Sequence, residues 1–167
     1  MFKKIILAIL VALPLSAAAQ KFGVVDVQDV FTAMPQTAEM QKQIEESSKK
    51  YETEFLKLQE EINKLYSDFQ TIQNDPATPD AIKERRMQEI QERAASVEKF
   101  RQTATQDLER QQAQLMAPIQ QSINDAISAV GKEGSFTFIF PNEPAMLLYQ
   151  GADVVNVTAL VKTKLGL

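Results

Sequence analysis

The chain has 167 residues, a length that suits one domain of ordinary size. It contains no Cys, His or Trp, which excludes zinc ribbons, iron–sulfur clusters, Cys nucleophiles and His-based triads. Its 18 basic and 22 acidic residues give a net charge of −4, which disfavours a protein that neutralises a nucleic-acid backbone. The sequence therefore predicts no nucleic-acid partner, no metal, no cofactor and no enzymatic activity.

The first 19 residues have the layout of a secretory signal. Lys3 and Lys4 precede an apolar run over residues 5–15, and small residues follow at 16–19. This layout predicts cleavage after Ala19 and export of a chain that is soluble once cleaved. An uncleaved membrane anchor is the alternative, but the apolar run is shorter than the ~20 residues that span a bilayer.

Residues 20–35 predict a short strand followed by a short helix. Residues 22–27 are apolar and β-prone, and Asp26 is placed to cap the helix that follows. Apolar residues then recur at helical spacing: Val27, Val30, Phe31 and Met34. Pro35 ends this helix, because the residue before a proline is pushed out of the α region.

Residues 36–74 have the heptad pattern of a coiled coil. Neither Gly nor Pro occurs in this stretch, and Glu, Lys and Gln fill most of the positions between the apolar ones. The apolar residues are spaced alternately by four and three positions: Tyr51, Phe55, Leu58, Ile62, Leu65, Phe69 and Ile72. This pattern predicts one long helix whose apolar seam packs against a partner helix.

A proline-containing turn and a second long helix follow. Prolines at positions 76 and 79 make residues 74–80 a turn, and Thr78-Pro79 marks the start of the next helix. The apolar positions of that helix are Ile82, Ile90, Ala94, Val97, Ala104, Leu108, Leu115, Ile119, Ile123, Ile127 and Val130. Arg101 and Gln111 lie on the same track, which makes the second seam less apolar and more pliable than the first.

Two helices joined by a tight turn are expected to lie antiparallel. If Ile72 lies opposite Ile82, Gln36 lies opposite Pro118, so the prolines at 35 and 118 mark one level at the base of the hairpin. The sequence thus predicts a coiled-coil arm over residues 36–118 with its tip at residues 74–80.

The remaining residues predict a small β-rich body formed by residues 20–35 and 119–167. The second helix is expected to stop at Gly131 or Gly134, and strands are predicted at 136–140 and 146–149. Asn156 is placed to cap a last helix whose inward residues are Val157, Leu160, Val161 and Leu165. Together with residues 22–27, the strands are expected to form one small, mainly antiparallel sheet. The predicted fold class is α+β.

A body of this size has too little apolar surface to be stable alone. About 95 of the 148 residues after the signal lie in the two long helices and their turn (residues 36–130), which leaves roughly 50 for the rest of the body, without any disulfide. Phe136, Phe138 and Phe140 alternate with Thr137 and Ile139, as expected for a strand that is covered on both faces. We therefore expect an oligomer whose body is shared β-structure, with the copy number left open.

The segments that flank the arm resemble the Skp/OmpH family of periplasmic chaperones. Residues 21–31 resemble the opening strand and short helix of the family, and residues 118–130 resemble its return helix. The strand at 134–140 and the helix start at 156–158 match in order and spacing. The resemblance implies a periplasmic homotrimer that holds unfolded outer-membrane proteins between coiled-coil arms and prevents their aggregation without ATP.

A protein of this kind needs adaptable apolar contacts rather than catalytic residues. Candidate client contacts are apolar residues that lie beside the seams: Leu56, Tyr66, Met87 and Phe100. Each of them could instead cover a neighbouring helix. The rival interpretation of the whole chain is a coiled-coil scaffold protein of the cell envelope without chaperone activity.

The charge at the tip of the arm bears on lipid contact. Well-studied family members are strongly basic, whereas removal of Lys3 and Lys4 with the signal leaves 16 basic against 22 acidic residues, a net charge of −6. The tip carries three cations with three acidic residues beside them: Lys83, Arg85 and Arg86, next to Asp75, Asp80 and Glu84. This mixture favours a solvated charged end over a lipid-binding one.

Overall fold

A computed structural model describes residues 20–167, so the predicted signal over residues 1–19 lies outside the described residues. Within 20–167 the chain forms three strands and four helices: β1 (Phe22–Val25), α1 (Val27–Ala33), α2 (Pro35–Gln73), α3 (Asp80–Glu133), β2 (Phe138–Pro141), β3 (Val155–Asn156) and α4 (Thr158–Leu165). The chain divides into two compact units. One is Phe31–Ser122, and the other joins residues up to 30 to Ile123–Leu167.

The unit Phe31–Ser122 contains the predicted helical hairpin. Met34 has an extended backbone (φ −73°, ψ 128°), and Pro35 is the first residue of α2, as its fixed φ and missing N–H favour. The 39 residues of α2 span about 58 Å at 1.5 Å per residue. All seven predicted seam positions of α2 are buried or half-buried, which confirms the heptad assignment for this helix.

The seam of α3 differs from the prediction at its first turns. Ile90, Val97 and Ala104 are buried as expected, but Ile82 is 48% exposed. Lys83 and Met87 take the inward track instead, because they precede Ile90 at the alternating spacing of four and three. The aliphatic stem of a lysine can pack along such a seam while its ammonium group stays near water.

The small sheet lies in the other unit and is parallel. Its strand order is β2–β1–β3, with Phe22 opposite Phe138 and Gly23 opposite Val155. The prediction of a mainly antiparallel sheet was therefore wrong. Parallel neighbours need long connections. The hairpin supplies one between β1 and β2, and residues 142–154 supply another before β3.

The predicted strand at 146–149 is also absent from the described sheet. The backbone N–H groups of Met146 and Leu147 both donate to the Glu143 carbonyl, at 2.9 Å each. These donors close a local turn and are not available for a strand ladder. Val155–Asn156 takes the place of the predicted strand beside β1.

The core of the sheet unit is formed mainly by valines. Its fully buried side chains are Val25, Val30, Val157 and Val161, together with Ile123. Asp26 caps α1 by accepting a hydrogen bond from the Asp29 N–H (2.8 Å), as predicted. Asn156 accepts from the Thr158 N–H (2.9 Å), but the N-cap position of α4 is Val157, so Asn156 lies one residue before the position predicted for it. Leu160, predicted to face inward, is mostly exposed because α4 buries only one narrow face.

The end of α3 has a Schellman motif that brings the chain into β2. The Phe136 N–H donates to the Gly131 carbonyl (2.9 Å), and the Ser135 N–H donates to the Lys132 carbonyl (3.3 Å). Ser135 has a left-handed backbone (φ 52°) at the position where glycine is usual. A Cβ atom on Gly134 would overlap the Phe136 ring, so this glycine permits a close approach.

Candidate functional site

The four predicted contact residues lie in two different environments on the hairpin. Leu56 and Tyr66 on α2 are 60% and 46% exposed, so their side chains are accessible to a partner. Met87 and Phe100 on α3 are half-buried. The Phe100 ring meets the Tyr51 ring edge-on, with 6.0 Å between ring centroids, so Phe100 also holds the two helices together.

A polar cluster joins the helices on the base side of Phe100. The Tyr51 hydroxyl and the Gln111 amide both donate to the same Asp107 carboxylate oxygen, each at 2.5 Å. The Ser47 hydroxyl donates to the Gln111 side-chain carbonyl at 2.9 Å. Sequence reasoning identified Gln111 as a polar seam residue but missed this cluster. Its signal was the polar side chain of Ser47, which lies one helical turn, four residues, before Tyr51.

Contacts across the hairpin agree with the predicted register. Arg93 and Glu61 form an ion pair at 2.9 Å, and their residue numbers add to 154, as those of Ile72 and Ile82 do. Gln36 and Pro118 line one groove at the base, as expected for residues at the same level. Tyr51 with Asp107, and Ser47 with Gln111, are both offset from this register by about one helical turn, since each pair of residue numbers adds to 158.

The charged faces of the hairpin are organised mainly by pairs within one helix. Lys49 hydrogen-bonds Glu45 at 2.6 Å, which lowers the pKa of Glu45 and raises that of Lys49. Arg101, although on the predicted seam track, is exposed and donates to Glu98, so the pKa of Glu98 is lowered. These pairs leave the side chains solvated and contribute little each.

The tip is ordered by Asp75. The Thr78 hydroxyl donates to one carboxylate oxygen (2.7 Å), and the Ala77 N–H donates to the other (3.0 Å). These hydrogen bonds lower the pKa of Asp75, because they favour its ionised form. Among the predicted tip cations, Lys83 is half-buried and Arg86 pairs with Glu89 at 2.8 Å. The side chains of Lys83 and Arg86 thus interact with the hairpin itself.

The sheet unit exposes an apolar surface of its own. Phe22 stacks on Phe138 with centroids 6.3 Å apart, and Phe138 lies 5.8 Å from Phe140; both β2 rings are about half exposed. We call these three residues the aromatic face. In the following loop Leu148 and Tyr149 are 94% and 85% exposed. Large exposed apolar groups of this kind mark surfaces that meet another molecule.

Two kinds of site are absent from the described residues. Within 20–167 no three acidic side chains come together in a way that could hold a metal ion. In the same residues no helix has the length and apolar character needed to cross a bilayer. Exposed apolar side chains on a charged hairpin, and exposed rings on a small sheet, are features of proteins that bind other polypeptides.

The class defined by this structure is a helical-hairpin protein with a small parallel sheet formed by the two ends of the described chain. Residues 21–165 match the family described as outer membrane protein (OmpH-like). The chain therefore belongs to the OmpH-like family, and the resemblance seen in the sequence is confirmed. No curated protein matches the chain.

Proposed function

We propose that the chain is an ATP-independent holdase chaperone that binds unfolded outer-membrane β-barrel proteins in the periplasm. The observation that carries this proposal is the family match over residues 21–165. The basic n-region and apolar run of residues 1–19 support export. Binding an unfolded chain lowers the concentration of the species that aggregates, so the activity needs no catalytic residue.

The surface of the hairpin supports this activity. Leu56 and Tyr66 offer apolar contacts on a helix that is otherwise charged and well hydrated. Separate contacts of this kind bind many sequences weakly, whereas one continuous apolar patch would promote self-aggregation. Met87 and Phe100 stay in the proposed set because each keeps part of its side chain accessible.

We further propose that the protein works as a homotrimer that encloses its client between the arms. The aromatic face and the exposed loop residues Leu148 and Tyr149 support association through the sheet unit. The sheet has open edges at β2 and β3, and unpaired edges of a small sheet readily add another chain. Sharing these surfaces would supply the core that one copy lacks.

The test is dilution of a urea-unfolded β-barrel outer-membrane protein into buffer, with aggregation followed by light scattering. The mature chain should suppress aggregation at near-stoichiometric amounts. A variant with Leu56→Ser and Tyr66→Ser should suppress it about tenfold less well per mole. Weak contacts bury only part of each side chain, so the pair contributes about 1.4 kcal/mol, less than the ~1.5–3 kcal/mol of one fully buried side chain. The matched control is Gln59→Ser with Gln70→Ser, two exposed polar positions on the same helix.

The rival proposal, a structural scaffold, makes the opposite prediction for the unmodified chain. A scaffold would leave aggregation unchanged at every ratio tested. Suppression that is equal for both double variants would keep the chaperone activity but remove Leu56 and Tyr66 from the contact surface.

A further inference from the structure

The part of α3 near the base of the hairpin lacks charge. Residues 111–124 contain no Asp, Glu, Lys or Arg, whereas residues 80–110 contain 14 of them in 31 positions. Gln, Ala, Met, Ser and Asn fill the positions between the buried apolar ones. The change is abrupt, because Glu109 and Arg110 directly precede the uncharged stretch. A coiled-coil surface that faces only water usually carries charged residues, as residues 80–110 do, so the uncharged stretch calls for another explanation.

This uncharged stretch forms one wall of a groove in the hairpin unit. The groove has a volume of about 390 Å3. It is lined by Met34, Gln36, Glu39, Met40, Gln43, Leu115, Pro118, Ile119 and Ser122. We call it the Gln/Met groove. Its one charged lining residue, Glu39, accepts a hydrogen bond from the Gln43 amide at 3.1 Å.

The chemistry of the Gln/Met groove suits an uncharged extended polypeptide. Covering charged side chains costs desolvation energy, and a surface without them avoids most of that cost. Glutamine amides carry both donors and acceptors, so they can pair with an extended backbone in either direction. Buried methionines adapt their shape to different side chains.

The proline in the wall leaves one backbone carbonyl of α3 without its helical donor. Pro118 has no N–H, so the carbonyl of Gln114 does not receive the hydrogen bond that helix geometry would give it. The Pro118 carbonyl itself accepts from the Ser122 hydroxyl at 2.9 Å. The wall of the groove thus carries polar groups without carrying ions.

We propose that the Gln/Met groove binds uncharged, extended segments of an unfolded client, such as future transmembrane β-strands. Such strands alternate apolar and polar residues and carry few charges on the face that later meets lipid. A lipid headgroup is a poor match, because the groove lining contains no cation. Residues 80–110 of a second hairpin are also a poor match, because they are densely charged. Contact with the uncharged base of a second copy is the alternative that the mass measurement below tests. This assignment rests on the chaperone function proposed above.

The test measures binding of a labelled, urea-unfolded β-barrel protein to full-length mature variants by fluorescence anisotropy. Gln36→Glu with Ser122→Glu adds two negative charges to the groove walls, and Gln36→Lys with Ser122→Lys adds two positive ones. Both variants should weaken binding by about tenfold, because either sign of charge must be desolvated. Gln70→Glu with Gln91→Glu adds the same charge at exposed positions nearer the tip and should bind within about twofold of the unmodified chain.

Two further measurements separate binding from folding. Ser122→Ala removes the hydrogen bond to Pro118 without adding charge, and it should bind like the unmodified chain. Circular dichroism should show unchanged helix content, and light scattering should show an unchanged mass for every variant. A mass that falls only in the groove variants would assign the groove to contacts between copies and would overturn the proposal.

The pattern of binding among the variants decides between the groove assignment and its alternatives. Weakening by only one sign of charge would show ordinary attraction to client charges and would overturn the groove assignment. Unchanged binding by both groove variants would overturn it as well, while leaving the chaperone function intact. Failure of the unmodified chain to bind the client at all would instead refute the proposed function.

Discussion

At the residue scale, the end of α3 combines a strained serine with a required glycine. Ser135 has a left-handed backbone, which costs a non-glycine residue about 1 kcal/mol. We therefore expect Ser135→Gly to increase the free energy of unfolding by up to about 1 kcal/mol, less the extra freedom that glycine gives the unfolded chain. Thermal unfolding followed by circular dichroism measures this as a higher Tm.

The neighbouring Gly134→Ala is the matched comparison. It should lower the Tm, since the added methyl group would overlap the Phe136 ring and approach the Val130 carbonyl to 3.0 Å. If the two substitutions shifted the Tm in the same direction, the Schellman geometry described above would be wrong.

At this scale the sequence predicted structure correctly where the structure depends on interactions between residues close together in the chain. The cap at Asp26 and the break at Pro35 follow from hydrogen bonding and sterics within a few residues, and the structure has both. Asn156 lies one residue before the N-cap of α4. The inward position of Lys83 was not predictable from hydrophobicity alone. Lys83 is half-buried while the adjacent Ile82 is exposed, because the position of a residue on the helix decides its burial there more than its polarity does.

At the scale of elements, the Tyr51–Asp107 hydrogen bond links the two helices of the hairpin. Tyr51→Phe removes the hydroxyl and leaves a half-buried carboxylate with fewer donors, so the free energy of unfolding should fall by about 1–2 kcal/mol. Urea unfolding measures the change. Tyr66→Phe is the control, since this exposed tyrosine should tolerate the change. An equal loss in both variants would contradict a specific role for the cluster.

The turn at the tip should respond to acid through Asp75. Its pKa is lowered in the folded chain by the hydrogen bonds from Thr78 and Ala77. Those bonds therefore stabilise the fold above the ordinary aspartate pKa of about 4, and the contribution is lost as the pH falls through the lower folded value. Asp75→Ala should lower the urea midpoint at pH 7, and the difference from the unmodified chain should shrink as the pH falls through the lowered pKa of Asp75.

Asp75→Asn provides the control for charge in this pH series. Its amide oxygen still accepts a hydrogen bond but does not titrate between pH 2 and pH 7, so its midpoint should lack the acid transition of Asp75. A difference between Asp75→Ala and the unmodified chain that stays constant over this range would contradict the assignment.

The direction of the strands is the main feature that the sequence did not predict. Periodicity reports which face of an element is buried, so the helices and the seam of α2 were recognised. Strand direction depends instead on which segment reaches the edge of β1. The strand predicted at residues 146–149 rests only on their apolar character. The Glu143 carbonyl captures the N–H groups of Met146 and Leu147, and this local competition is not visible in an apolar pattern.

At the scale of the whole molecule, the exposed apolar surface of the sheet unit needs a partner. Leu148 and Tyr149 are almost fully exposed, and β2 presents two rings at the edge of the sheet. Burial of such groups contributes about 25 cal/mol per Å2 of apolar area, which favours association of several copies. Because these side chains make few contacts within one copy, their replacement should affect assembly more than folding.

The mass of the mature chain in dilute solution tests this directly. Light scattering should give a multiple of the single-chain mass, three copies in our proposal. Leu148→Ser with Tyr149→Ser should shift the population toward single chains, and their helix content should be largely kept because most of it lies in α2 and α3. Leu56→Ser with Tyr66→Ser removes a comparable pair of exposed apolar side chains from the hairpin and should leave the mass unchanged. A well-folded single copy of the unmodified chain would contradict association through the sheet unit, and equal masses for the two variants would move the contact elsewhere.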